Sequence, residues 1–103
     1  MKKPAHFSAD KVLPRIRPLA EAAAQAAGAE VVEVAFVREG GQLYLRVLVH
    51  EPGATRIQTC EKVSRALSRE LDALEHLIPV HYFLEVSSPG VTTEAIPAEE
   101  ESS

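Results

Sequence analysis

Apolar positions recur along the chain with two different periods, and the changes of period mark its elements. Leu13, Ile16, Leu19 and Ala20, Ala23 and Ala27 recur at helical spacing, within a run rich in alanine, the best helix former. Asp10 can accept hydrogen bonds from free N–H groups and so start this helix. Pro14 is tolerable in a first turn, whereas Pro18 should kink the helix or mark its true beginning. Gly28 supplies a left-handed stop. The period then drops to two. Val31–Glu39 places Val32, Val34 and Phe36 on one face and Val31, Ala35 and Val37 on the other. Gln42–His50 aligns Leu43, Leu45, Val47 and Val49. Gly40-Gly41 between them is a two-residue hairpin signal, because both positions accept positive φ. Glu51-Pro52-Gly53-Ala54 reads as a turn. A second helix is expected from about Gln58 or Thr59 to Leu74, with Cys60, Val63, Leu67, Leu71 and Leu74 as its apolar stripe. Val80–Val86 reads as a third strand, with Tyr82, Leu84 and Val86 on one face, and Ser87-Ser88-Pro89-Gly90 as a turn. The rest is aperiodic.

The order is α-β-β-α-β. This predicts an α+β fold: a single domain, with two helices packed on one face of a three-stranded sheet. The third strand is expected beside the first, as a split β-α-β, leaving one sheet face partly open. Residues 1–9 should be frayed, residues 10–90 folded, and residues 91–103 a disordered tail.

Charge sharpens this division. The net charge of −4 conceals an asymmetry, because all 11 Lys and Arg lie at or before Arg69. Four acids (Glu94, Glu99, Glu100, Glu101) crowd the last ten positions, so the body is neutral and the tail carries the excess. A basic first part followed by an acidic end suggests a polyanionic partner for the body. The tail could compete with that partner.

Several functional classes drop out. One cysteine excludes an intramolecular disulfide and a multi-cysteine metal site. No apolar run approaches the roughly 18 residues of a membrane helix. The basic start Met1-Lys2-Lys3-Pro4 is not followed by an apolar segment, so it does not read as a secretory signal and the cytoplasm is expected. Cys60 could be a thiol activated near a helix N-terminus, but its register with Val63 and Leu67 favours a core position. His6, His50, His76 and His81 have no metal-ligand spacing. With no phosphate-binding glycine loop and no Ser/His/acid constellation, neither an enzyme, a cofactor nor a small-molecule substrate is expected. Lys62, Arg65 and Arg69 recur at i, i+3 and i+7, sharing one face of the second helix. They read as phosphate contacts, or else as a solvated face with Glu61 and Arg65 as an i, i+4 pair. Arg38 and Arg46 add charge on the hairpin, and Ser87, Ser88 and Gly90 shape a loop that could dock a partner.

Three segments carry a resemblance. Val31-Val32-Glu33-Val34-Ala35-Phe36-Val37-Arg38-Glu39-Gly40-Gly41 is similar to the first hairpin of the bacterial ribosome maturation factor RimP family. Cys60-Glu61-Lys62-Val63-Ser64-Arg65-Ala66-Leu67-Ser68 resembles its second helix, and Tyr82-Phe83-Leu84-Glu85-Val86-Ser87-Ser88-Pro89-Gly90 its signature segment. The resemblance implies the N-terminal domain of a non-enzymatic factor that assists small-subunit maturation, contacting ribosomal RNA and a small-subunit ribosomal protein without a cofactor. Within that reading, Lys62, Arg65 and Arg69 with the hairpin arginines Arg38 and Arg46 are expected to face ribosomal RNA, and the loop of Ser87, Ser88 and Gly90 to dock protein. The family continues after the glycine with Leu-Asp-Arg-Pro-Leu into an SH3-like barrel. Here Val91-Thr92-Thr93-Glu94-Ala95-Ile96 follows, and a second domain is not expected. The family's acidic pair before the helix cysteine is replaced by Gln58-Thr59. The expected state is a monomer that binds the small ribosomal subunit and no membrane. The rival expectation is an interaction or self-associating module that uses the open sheet face.

Overall fold

The computed structural model describes residues 8–53, 56–88, 91–92 and 96–97. Helix α1 spans Ala9–Ala26 and is followed by β1 (Glu30–Glu39), β2 (Gln42–His50), α2 (Ile57–Leu71), a 3-10 helix over Asp72–Leu77, and β3 (Phe83–Ser88). Two helices and a sheet built on three long strands, in the order α-β-β-α-β, make one α+β domain, as the periodicities indicated.

Helix α1 begins before Asp10. The Ser8 carbonyl accepts from the N–H groups of Lys11 (3.2 Å) and Val12 (3.3 Å), and Asp10 lies in the first turn, where its charge suits the helix dipole. Pro18 neither starts nor ends the helix. Pro14 and Pro18 stand one turn apart on its exposed face, so the carbonyls they leave without a donor are turned toward water. At the other end Ala29 N–H donates to the Ala24 carbonyl (2.8 Å) and Gly28 N–H to that of Gln25 (3.1 Å), with Gly28 at φ 84°. This crossed pair is a Schellman stop, and it works because glycine meets no Cβ penalty at positive φ.

Gly40 and Gly41 (φ 56° and 80°) close the β1–β2 hairpin. The pairing contains a bulge between Val31 and Glu33. Val31 pairs with Val49 and packs against the core, while Val32 is pushed out and is 52% exposed. The sequence expectation placed these two valines the other way round. One extra residue resets the alternation, and a run of valines reads equally well in either frame.

Strand order is β1-β2-β3, with β3 parallel to β2. The expected placement of the third strand beside the first is therefore corrected. Leu43, Leu45, Val47 and Val49 of β2 are all buried, which needs neighbours on both sides, whereas β1 carries exposed Glu30, Glu33, Arg38 and Glu39 and suits an edge. The β2–α2–β3 passage is then an ordinary parallel crossover unit. Strand β3 also starts later than expected, at Phe83 opposite Tyr44, and continues through Ser88. Within the segment expected to be aperiodic, Val91–Thr92 (β4) and Ile96–Pro97 (β5) pair antiparallel with the free edge of β3. Helix α2 ends at Leu71, and the chain tightens into the 3-10 helix instead of continuing to Leu74.

The core lies between the helices and one sheet face. Ile16, Leu45, Val47, Val49, Val63, Leu67, Leu84 and Val86 are its largest fully buried apolar residues. Ridges of this size, stripped of water, supply most of the stability of so small a domain.

Candidate nucleic-acid interface

Helix α2 has a poor start by sequence, since Arg56 precedes it and offers no side-chain cap. Glu51, just after β2, takes over that role. Its carboxylate accepts from Arg56 N–H (3.1 Å), Arg56 Nη2 (2.9 Å) and Thr59 Oγ1 (2.8 Å). These bonds from Arg56 and Thr59 hold the Glu51 carboxyl below the usual carboxylate range. The end of β2 is thereby tied to the first turn of α2, which fixes how α2 presents its outer face. Sequence reasoning missed this tie because the acid and the helix start are separated by a turn.

That outer face carries Lys62, Arg65 and Arg69, all exposed. None of them forms an ion pair with a described residue, and Glu61 and Arg65 do not pair despite their spacing. Arg38 is likewise exposed and outside the ion pairs. It stands at the hairpin end of β1, opposite Leu43 and so on the helix side of the sheet.

Arg46 is elsewhere. It lies on the other sheet face, donating from Nε to Glu85 (3.0 Å), with Glu39 3.4 Å from Nη2 and the Tyr44 ring 5.9 Å from its guanidinium carbon. The bonds to Glu39 and Glu85 raise its already high pKa. Its charge is held by two carboxylates on the face away from the helices, so Arg46, unlike Arg38, does not lie on the side of the α2 stripe. Around it, Tyr44 stacks on Phe83 (centroids 5.6 Å apart) and His81 meets Phe83 edge-on (5.1 Å).

Ser87 and Ser88 are the last residues of β3 rather than part of a loop, and they are 7% and 4% exposed. Their expected role in an exposed docking loop is therefore corrected, since buried hydroxyls in a paired strand cannot contact a partner. Gly90 lies outside the described residues. Cys60 is fully buried, and desolvation, with the nearby charges of Glu51 and Glu61, pushes its thiol pKa up. A buried protonated thiol is a weak nucleophile. Among the described residues no group of three His, Cys, Asp or Glu could hold a metal ion, and no helix is long and apolar enough to cross a membrane.

Exposed cations on a rigid helix can hold phosphate oxygens, while the opposite sheet face offers aromatic and aliphatic side chains with paired charge. Residues 19–92 match the family model of the RimP N-terminal domain, which covers the second half of α1 through β4. No solved structure matches the chain.

Proposed function

The chain belongs to the RimP N-terminal domain family, and from that premise we propose that it is a non-catalytic binding module which assists maturation of the small ribosomal subunit in the cytoplasm. It docks on the subunit through ribosomal RNA, using Lys62, Arg65 and Arg69 of α2, with Arg38 at the edge of the contact. The supporting observation is that these cations are exposed and unspent, whereas Arg46 is committed to Glu39 and Glu85. A neutral body makes such binding weak and steeply dependent on salt. Co-sedimentation with free small subunits tests the reading. Binding at low salt that is lost in the Lys62→Ala/Arg65→Ala/Arg69→Ala variant supports it, and no binding by the unaltered chain at low salt overturns it.

A second reading rests on the open sheet face. Val37, Tyr44, Leu48 and Phe83 line it, all half-buried, with Arg46 and His81 beside them. In this reading the face docks a protein or a second copy of the chain. A stable dimer by size exclusion, without ribosome association, would favour it over the first.

A further inference from the structure

Helix α1 also carries unspent cations. Lys11 and Arg15 are exposed, one turn apart, and neither forms an ion pair with a described residue, while Arg17 on the same helix is held by Glu21 at 3.1 Å. Topology decides where they lie. Helix α1 enters β1 through the short Ala27–Ala29 stop, so it runs back along β1. Strands β1 and β2 are antiparallel, β2 and β3 are parallel, and α2, which joins that parallel pair, runs opposite to both. The two helices are therefore antiparallel and in contact. The first turns of α1 lie beside the last turns of α2, at the end of the sheet where the hairpin turns. Lys11 and Arg15 thus share one end of the helical layer with Arg65 and Arg69, on two packed helices whose axes stand about 8–10 Å apart.

The aromatic residues are distributed differently. Phe36, Tyr44, Tyr82 and Phe83 all belong to the sheet or its approach, and none of the described aromatics lies on a helix. The described residues of α1 and α2 include cations to hold phosphates and no Phe, Tyr or Trp ring on which to stack an unpaired base. Single strands are bound largely by stacking, whereas double-helical RNA is bound by its backbone and 2′-hydroxyls.

We infer that the outer surface of both helices, with Lys11 and Arg15 of α1 joining Lys62, Arg65 and Arg69 of α2, grips the backbone of double-helical RNA without reading its sequence. This deepens the assembly-module reading and rests on it.

Fluorescence anisotropy with an RNA duplex of about 20 base pairs, and with one of its strands alone, tests the inference over a salt series. The duplex should bind more tightly than the strand. Lys11→Ala/Arg15→Ala should weaken duplex binding by about tenfold and flatten the log–log salt slope by about 0.9 per lost contact, close to two units in all. Arg17→Ala, which removes a spent cation, should leave the slope unchanged. Circular dichroism checks that each variant keeps its helices. An unchanged slope in the α1 variant, alongside a reduced one in the α2 triple variant, overturns the inference and leaves the assembly reading standing. Tighter binding of the single strand overturns the duplex preference. Co-sedimentation with small subunits but no duplex binding overturns the inference alone, and absence of both overturns the reading as well.

Discussion

Glu51 is the residue on which the orientation of α2 turns. Because its partners hold its carboxyl below the usual carboxylate range, the folded state favours the ionised form. Its contribution is full above the range in which an unfolded carboxyl titrates and is lost as pH falls through the lowered native value. Glu51→Gln should therefore lower the thermal midpoint near neutrality and flatten its decline on acidification. A variant whose acid limb matches the parent would contradict this role. Ser68 shows the opposite case. Its hydroxyl is buried in α2 with no hydrogen-bond partner among the described groups. Ser68→Ala removes that cost and adds helix propensity, so denaturant unfolding should show a gain of about 0.5–1 kcal/mol. Cys60 sits fully buried beside Val63 and Leu67, and a thiol reagent should label it only as fast as the domain opens. The core position of Cys60 was legible from its helical register. The Glu51 tie was not, because a contact bridging a turn leaves no period in the sequence.

At the scale of elements, β1 separates pattern from packing. Four valines, Ala35 and Phe36 within ten residues announce a strand, but the bulge decides which of them face the core. Val32→Lys should change stability by no more than about 0.5 kcal/mol, as at other exposed positions. Val31→Lys should cost at least about 2 kcal/mol, because it sets a charge against the apolar face. Equal effects at the two sites would place the bulge elsewhere. The C-terminal stop of α1 gives a second case. Gly28→Ala should destabilise by about 1 kcal/mol, since φ 84° strains any residue with a Cβ. Gly28 and the Gly40-Gly41 hairpin were both legible because their conformations need glycine. The extent of β3 was not, since Val80–Val86 alternates as well as Phe83–Ser88 does. Only pairing with Tyr44–Leu48 selects the later frame, and that frame moves Ser87 and Ser88 from an expected loop into the wall of the core.

The whole molecule has two dissimilar surfaces. The helical layer carries exposed cations outside the ion pairs and the sheet face carries aromatics with paired charge, and the proposed polyanion contact rests on this contrast. Neutralising Lys62, Arg65 and Arg69 together should reduce small-subunit co-sedimentation and its salt dependence, while Arg46→Ala should leave both nearly unchanged. A strong effect of Arg46→Ala on binding would mean that the sheet face, not the helices, meets the subunit.

The sequence by itself determined the α-β-β-α-β order, the core stripes of α2 and β2, the hairpin and helix stops, and the family to which residues 19–92 belong. The elements and stops follow from local periodicity or from backbone geometry that one residue type tolerates, and the family follows from the match over residues 19–92. Tertiary structure alone decided that β3 lies beside β2, that Val31 rather than Val32 faces the core, and that Arg46 is spent on Glu39 and Glu85. It also decided that the first turns of α1, with Lys11 and Arg15, lie beside the last turns of α2. These outcomes depend on which elements pack together, and packing joins residues far apart in the chain whose pairing no local pattern encodes.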